Sequence, residues 1–337
     1  MIDVAPLRDA YEALRRRPDG AVVVDRTARS RGTVAGAKAR EVLTGLVTND
    51  VVALGVGAGC YAAALTAKGK ILADLVILAR EEDLVVSIPE RAAPGWWAMI
   101  RKYVNPRLAR CADVSPVTRE LGVFGRGAAA VVARATGGAA DVLRALPLHG
   151  HVTIPVAGVM GLVTRSPDLG GEGYVLVAPA AGSEALTTAL QAAGAIGAGA
   201  DLVEVARIEA GRPAWGADMD EGTLAQEANM DDLGAISYTK GCYTGQETVA
   251  RVHFRGHVNR LLRGIRFEAG APVRAGQALV DEAGQALGEV RSAADSPAFG
   301  GIGLAMVRRE VAEGRAVLVP DAGGAQAEVA ALPFFHA

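Results

Sequence analysis

The residues with the clearest chemical potential lie in one octapeptide, KGCYTGQE, at positions 240–247. It places a lone cysteine, Cys242, two residues after Lys240, and Thr244 is followed three residues later by Glu247. Thr-x-x-Glu is the spacing of a capping box, so we predict a short helix over 245–251. A nearby cation and a helix N-terminus both favour the thiolate form of cysteine. The octapeptide therefore predicts a reactive sulfur, and the alternative is a buried cysteine beside a structural turn.

Composition limits the function classes open to this chain of 337 residues. A hydrophobic content of 50% excludes a chain that is disordered over most of its length. The formal net charge is −2, so direct nucleic-acid binding is not expected and any anion site must be local. The three cysteines are widely spaced, which indicates no disulfide framework, no metal site and a reducing cytoplasm. No signal peptide or membrane span is expected, because the uncharged runs are too weakly apolar.

The elements around the octapeptide alternate between helical and strand patterns. Helical spacing occurs at 6–17, 36–46, 94–104, 183–193 and 202–210. Apolar runs at 60–66 and 71–79 flank a Lys-Gly-Lys turn that is typical of a hairpin. From about residue 258, six short β-like runs predict a small antiparallel barrel. We therefore predict an α+β fold with a first domain over 1–257 and a barrel over 258–337.

The octapeptide closely resembles the signature of YgfZ-type folate-binding proteins, which share a superfamily with the glycine-cleavage T-protein (GcvT), an aminomethyltransferase. The resemblance extends to RIEAGRP at 207–213, QEANM at 226–230, VTNDV at 47–51 and KGKILAD at 68–74, and it covers about residues 20–265. It implies that residues 1–257 form a two-part GcvT-like domain, divided into halves near residue 150 and arranged as a ring around tetrahydrofolate or a folate derivative, followed by a C-terminal barrel.

The same resemblance implies which residues act. Lys240 and Cys242 correspond to the catalytic pair, and no metal ligands are implied. The implied folate contacts are Asp74, Glu209, Tyr243, Gly245, Gln246, Glu247 and Arg251. YgfZ-type proteins are implicated in assembling or maintaining four-iron clusters of certain enzymes, including the radical enzymes that methylthiolate tRNA. The implied partners are therefore a folate and iron–sulfur client or assembly proteins. One thiolate falls short of four-cysteine ligation, so we expect no stable cluster on this chain alone.

Departures from the transferase pattern leave other functions open. In aminomethyltransferases a catalytic aspartate immediately precedes the aspartate that aligns with Asp74, and Ala73 stands in that place here. A classical aminomethyltransferase is therefore not expected, because a methyl group cannot exchange protons. The alternative is another folate-dependent one-carbon transferase or demethylase, which the shared N-terminal segments support. A third possibility is a folate-responsive adaptor that only docks partners.

Two further features each allow two interpretations. Asp74 follows a predicted hairpin, where it either meets the ligand or lies on a solvated strand face. Arg251, His253, Arg255 and His257 alternate with uncharged residues and would form a basic edge if the segment were extended. Such an edge suits a folate glutamate tail, RNA phosphates or an acidic protein patch, and the alternative is an ordinary solvated face.

Overall fold

The computed structural model describes residues 2–156 and 159–335. Its α-helices are α1 (Leu7–Arg15), α2 (Ala39–Thr44), α3 (Ala93–Tyr103), α4 (Ala128–Thr136), α5 (Ala140–Arg144), α6 (Ser183–Ala192), α7 (Ala200–Glu209) and α8 (Gln246–Arg255). None of these helices is long and apolar enough to cross a membrane.

The strands form two open sheets and one closed barrel. The strands of the sheets are β1 (Val22–Asp25), β2 (Ser30–Ala35), β3 (Gly59–Leu65), β4 (Ile71–Ala79), β5 (Asp83–Ile88), β6 (Arg110–Asp113), β7 (Thr118–Phe124), β8 (His151–Val156), β9 (Val159–Arg165), β10 (Gly173–Pro179) and β11 (Ile196–Gly197). The barrel strands are β12 (Arg260–Phe267), β13 (Ala278–Val280), β14 (Ala286–Ser296), β15 (Gly300–Arg308), β16 (Ala316–Val319) and β17 (Ala325–Ala330).

The first sheet is antiparallel, in the order β3-β4-β5-β2-β6. Successive side chains of a strand point to opposite faces of the sheet, so the two faces of each strand in this sheet contact different parts of the protein. On one face Ala64 pairs with Ala73, and both are buried in the same core as Trp96 of α3. The opposite face carries Tyr61 and Asp74. The alternation along β3 and β4 therefore decides which residues can meet a ligand.

The second sheet has the order β11-β1-β7-β10-β9-β8 and packs under α4 and α6. Strand β1 belongs here, although it precedes the first sheet in the chain, because it pairs with both β7 and β11. The chain passes from β6 of the first sheet to β7 of the second between Asp113 and Thr118. The division of residues 1–257 into halves near residue 150 and the domain boundary at residue 257 stay predictions.

The C-terminal strands close into a barrel in the order β12-β15-β14-β13-β16-β17. All six predicted β-like runs are strands, and the predicted α+β class and barrel are confirmed. Ile265, Val290 and Val307 are among the fully buried residues of its core. Closure of the barrel pairs both long edges, so neither β12 nor β17 is left as an exposed edge.

Buried polar contacts join the barrel to the helices of the first part. The fully buried carboxylate of Glu209 accepts hydrogen bonds from Tyr11 Oη at 2.8 Å, Arg15 Nε at 2.9 Å and Ser296 Oγ at 2.6 Å. These partners belong to α1 and β14, so Glu209 links three elements. Glu209 therefore has a structural role in this link, and its assignment as a folate contact stays a prediction.

Candidate functional site

A cavity of about 730 Å³ lies between the two sheets. The first sheet contributes Tyr61 and Asp74, and the second contributes residues of β1. His149 and Asp168 close one side, and residues 212–215 after α7 close another. This volume lies within the range of small-molecule sites, and the lining combines apolar walls with a few polar groups.

The polar centre of the cavity is the Tyr61–Asp74 pair. Tyr61 Oη donates a hydrogen bond to Asp74 Oδ2 at 3.0 Å. Asp74 is only 7% exposed, and its Oδ1 has no hydrogen-bond partner among the described residues. Burial raises the pKa of Asp74. Trp215 Nε1 lines the same cavity and is likewise buried without a partner in the described chain.

A buried donor or acceptor without a partner costs about 1–3 kcal/mol, so such groups are rare unless something binds them. Here one acid oxygen and one indole N–H belong to residues that line the same cavity. A ligand with a donor for Asp74 and an acceptor for Trp215 would satisfy both. The lining thus suits a small molecule with polar groups rather than a purely apolar one.

The position of Asp74 changes the meaning of Ala73. Ala73 is fully buried in the core under α3, on the face away from the cavity. A carboxylate at residue 73 would lie among apolar side chains, whereas the carboxylate at residue 74 faces the cavity. The cavity therefore has a carboxylate, that of Asp74, although residue 73 is alanine. Ala73 is thus not a structural argument against transferase chemistry.

Charged residues line the other end of the cavity. Arg26 Nη1 pairs with Asp168 Oδ2 at 2.6 Å. Burial opposes ionisation of Asp168, but the charges of Arg26, Arg29 and Arg212 outweigh it and hold the pKa of that carboxyl well below its usual range. Arg212 itself forms no ion pair within 4 Å across the ranges that the structure describes. It is thus available to an anionic group of a ligand.

His149 adds a second ring to the cavity wall. Its ring lies 6.4 Å from that of Tyr61, in a stacked orientation. Its φ of 59° lies in the left-handed region that residues with a side chain rarely adopt. Burial lowers the pKa of His149, which favours its neutral imidazole. Two aromatic rings thus belong to the cavity wall, where either can contact a ring of a ligand.

The octapeptide lies outside this cavity and anchors a neighbouring turn. The ammonium of Lys240 donates to the backbone oxygens of Thr44 and Val47, the latter at 2.8 Å, and lies 4.2 Å from the centre of the Tyr243 ring. Burial lowers its pKa to about 8, although Asp50, Cys60 and Cys242 oppose that shift. Lys240 therefore holds the C-terminal end of α2.

Cys242 is exposed, which excludes the alternative of a buried structural cysteine. The predicted capping box is wrong: α8 begins at Gln246, its N-cap is Gly245, and no side chain caps it. The reason is local packing, because Gly245 adopts a φ of +84° against the hairpin between β3 and β4. The thiol therefore stands on an accessible loop, ahead of a helix that starts four residues later.

A chain of hydrogen bonds connects the octapeptide to the cavity wall. Lys240 binds the oxygen of Val47, and the next residue, Thr48, donates from Oγ1 to Ala235 O at 2.6 Å. Asn49 Nδ2 then donates to the backbone oxygen of Tyr61 at 2.9 Å. Residues 47–49 thus join the Lys240 loop to the strand whose Tyr61 side chain holds Asp74.

Substitution of Gly245 by Ala should destabilise the fold. An alanine Cβ would lie 2.6 Å from Thr66 O and 3.2 Å from Gly69 Cα, in a backbone conformation that costs energy for any L-residue. We expect a loss of about 2 kcal/mol in the free energy of unfolding, measured by urea titration. The matched control is Gly241→Ala, because a Cβ there meets nothing within 4 Å. Equal losses in the two variants would contradict this account of the turn.

Lys240→Met should change how stability depends on pH. The pKa of Lys240 is about 8 in the folded chain and 10.5 ordinarily, so the unfolded chain binds more protons between these values. Wild-type stability should therefore gain a contribution from this group as pH rises from 8 to 10.5, and the variant should lack it. Urea unfolding of both proteins at pH 7 and pH 10 measures the difference. The same pH dependence in both proteins would show that Lys240 is not held as described.

Among the predicted folate contacts, only Asp74 lines the cavity within the described ranges. The others do not line it. Glu209 is buried between α1 and β14, and the remaining residues belong to the octapeptide and α8, which lie outside the cavity: Tyr243, Gly245, Gln246, Glu247 and Arg251. The predicted extended basic edge is also wrong, since α8 continues to Arg255. The sequence interpretation missed Tyr61, His149 and Trp215. It also missed Arg212, although that residue lies within the RIEAGRP segment.

The described residues contain no group of three or more His, Cys, Asp or Glu side chains able to hold a metal ion. Cys60 is buried in the first core, where burial raises the pKa of its thiol to about 12, and Cys111 is partly buried. Cys242 is therefore the accessible thiol of the described chain.

Comparisons with known proteins agree with this architecture. Residues 10–237 match the GCVT N-terminal domain family, and residues 260–336 match the glycine cleavage T-protein C-terminal barrel domain. A tRNA-modifying protein YgfZ from Serratia proteamaculans is 31% identical over 239 residues, which cover 71% of this chain and 68% of that protein. An aminomethyltransferase from Nostoc sp. is 26% identical over 313 residues, 90% of this chain and 80% of that protein.

Among solved structures, the glycine cleavage system aminomethyltransferase T from Bartonella henselae superposes with a TM-score of 0.87. It is 22% identical in sequence, and the match covers 98% of this chain and 91% of that one. This likeness concerns the fold, including the placement of the barrel after the two sheets.

Proposed function

The chain belongs to the glycine cleavage T-protein family as a YgfZ-type member, and from this premise we propose that it binds tetrahydrofolate, or a related folate, and supports tRNA modification. Its role is that of an accessory protein for four-iron enzymes, including the radical enzymes that methylthiolate tRNA. It assists the assembly or maintenance of their clusters and does not itself modify the RNA.

The observation that carries the folate proposal is that two residues lining the cavity each have a buried polar atom without a partner among the described residues, Asp74 Oδ1 and Trp215 Nε1. A pterin ring is planar and carries ring N–H and amino donors beside ring acceptors, so it suits both atoms. Tyr61 and His149 offer ring surfaces to it. Arg212 suits the carboxylates of the glutamate tail. A reduced folate, when bound, would carry one-carbon units at its N5 and N10 nitrogens.

Substitution of Arg212 by Ala tests how the tail is held. We expect the affinity for tetrahydrofolate to fall about tenfold, because Arg212 lines the cavity and carries no ion pair within the described residues. Tetrahydropterin without a glutamate tail is the matched ligand, and its affinity should not change. Isothermal titration calorimetry measures both ligands. An equal loss for the two ligands would mean that Arg212 supports the cavity rather than the tail.

Cys242 supplies the chemistry outside the cavity. Its thiol is exposed, and the described residues provide no group of metal-binding side chains with which it could hold a cluster without a partner. In our proposal the thiolate donates one bond to a cluster or iron carried mainly by a partner protein, and the partner supplies the remaining ligands. The Lys240 contacts and residues 47–49 link this loop to the folate cavity, so folate binding and the loop can influence each other.

A folate-dependent one-carbon transferase or demethylase is the second candidate. The observation in its favour is that Asp74 lines the cavity and that burial raises its pKa, the direction expected of a carboxyl group that takes up and releases a proton. Incubation of protein and tetrahydrofolate with a panel of amine and sulfonium donors separates the two functions. Formation of methylene- or methyl-tetrahydrofolate that Asp74→Asn abolishes would favour the transferase, and its absence favours the accessory role.

A further inference from the structure

An exposed aromatic cluster lies at the C-terminal end of α8, away from the cavity. The rings of Tyr238 and His253 stack with their centres 3.7 Å apart. Phe254 meets His253 edge-on at 4.7 Å and is itself 66% exposed. A phenyl ring this exposed contributes little to a core, and its open surface remains available for stacking on a partner.

Basic side chains continue from this cluster into a groove. The chain leaves α8 through residues 257–259, which line an open groove of about 540 Å³ together with residues 308–310. Arg255 and Arg309 are exposed and form no ion pair within 4 Å in the described chain. The ion pair of Arg308 is with Glu310, at 3.9 Å. We call Phe254, Arg255, His257, Arg308 and Arg309 the aromatic–basic surface.

The acidic groups near this surface do not cancel its charge. Glu310 faces the groove and pairs only loosely with Arg308. Asp231 accepts a hydrogen bond from Tyr238 Oη, and Glu247 lies in the first turn of α8, two turns from Arg255. Arg251, also exposed on α8, adds another cation. The surface is thus locally basic, although the whole chain has a net charge of −2.

We propose that the aromatic–basic surface binds single-stranded RNA, with a base stacked on Phe254 and phosphates paired with Arg255 and Arg309. A polyanion satisfies the arginines, and a nucleic acid in addition offers flat bases to the exposed ring. An acidic polypeptide satisfies only the arginines. This binding goes beyond the accessory function above, which requires no contact between this chain and RNA, and it involves neither the cavity nor Cys242.

Fluorescence anisotropy with a labelled 12-nucleotide oligouridine tests the proposal at salt concentrations from 50 to 200 mM. Phe254→Ala should weaken binding about tenfold at every salt concentration, because a stacked base is lost. Arg255→Ala and Arg309→Ala should each lower the slope of log K against log salt by about 0.7, the value for one phosphate contact on a single strand.

Matched controls come from α3, where Arg101 and Tyr103 are also an exposed cation and an exposed aromatic residue. Arg101→Ala and Tyr103→Ala should leave the affinity and the salt slope unchanged. All the substituted side chains are exposed, and thermal unfolding confirms that each variant keeps its fold. The proposal is overturned if wild type does not bind at 50 mM salt, if the controls lose as much affinity, or if polyglutamate displaces the RNA as well as unlabelled oligouridine does.

Discussion

Asp74→Asn should reduce the affinity for tetrahydrofolate by about 10- to 100-fold, the loss expected when a hydrogen bond to a charged group fails. Tyr61 Oη donates to one side-chain oxygen of residue 74. The amide of the variant must therefore keep its oxygen towards Tyr61 and turn its NH₂ towards the ligand. The NH₂ group of the variant, a donor, then faces the donor groups of the ligand ring whose hydrogen bonds the wild-type carboxylate accepts.

The fold should tolerate this substitution, because it removes an acid that burial disfavours in its ionised form. Calorimetric titration with tetrahydrofolate measures the loss, and Asp232→Asn, at an exposed carboxylate, is the matched control. Wild-type affinity should also fall as pH decreases through the raised pKa of Asp74, since the protonated acid is a poorer acceptor, and the variant should lack this dependence. Unchanged affinity in Asp74→Asn would place the folate elsewhere.

Cys242→Ala should abolish the support of tRNA methylthiolation in cells while leaving the folate site intact. The side chain is exposed, and α8 and the Lys240 contacts do not depend on it. We expect methylthiolated adenosine in tRNA to fall to a tenth or less of the wild-type level. Purified Cys242→Ala should bind tetrahydrofolate and unfold as the wild type does.

Cys111→Ala is the control for general loss of a thiol, because Cys111 lies on the edge strand β6 and is not part of the octapeptide. It should rescue the cells fully. Full rescue by Cys242→Ala would favour the adaptor interpretation, in which the octapeptide has a structural role through Lys240 and Gly245. Loss of folate binding in Cys242→Ala would instead mean that the loop supports the cavity directly.

The sequence was sufficient to predict the fold class, the barrel and the hairpin that carries Asp74, because these depend on local patterns. It could not show which face of β4 meets the ligand. Both faces of that strand are largely buried, so the run ILADLVILA has no clear polar side. Residues 73 and 74 necessarily point in opposite directions, but only the packing of the two sheets decides which of them reaches the cavity.

The cavity residues were hard to predict for a related reason. Tyr61, His149 and Trp215 lie far apart in sequence and are joined only when the sheets pack together. Glu209 lies in a family segment and does not line the cavity, and its contacts with Tyr11 and other partners make it a structural link. The type of a residue and its motif indicate that it is constrained, and only its contacts show whether that constraint serves a ligand or the fold.

The central claim is that this chain, through its folate cavity, supports four-iron enzymes that modify tRNA. The most direct measurement is the level of methylthiolated adenosine in tRNA from cells that lack the protein and from the same cells carrying wild type or Asp74→Asn. We predict a low level without the protein, restoration by wild type, and little restoration by Asp74→Asn. A level that does not depend on the protein would contradict the claim, and the one-carbon transferase would then be the better account of the cavity.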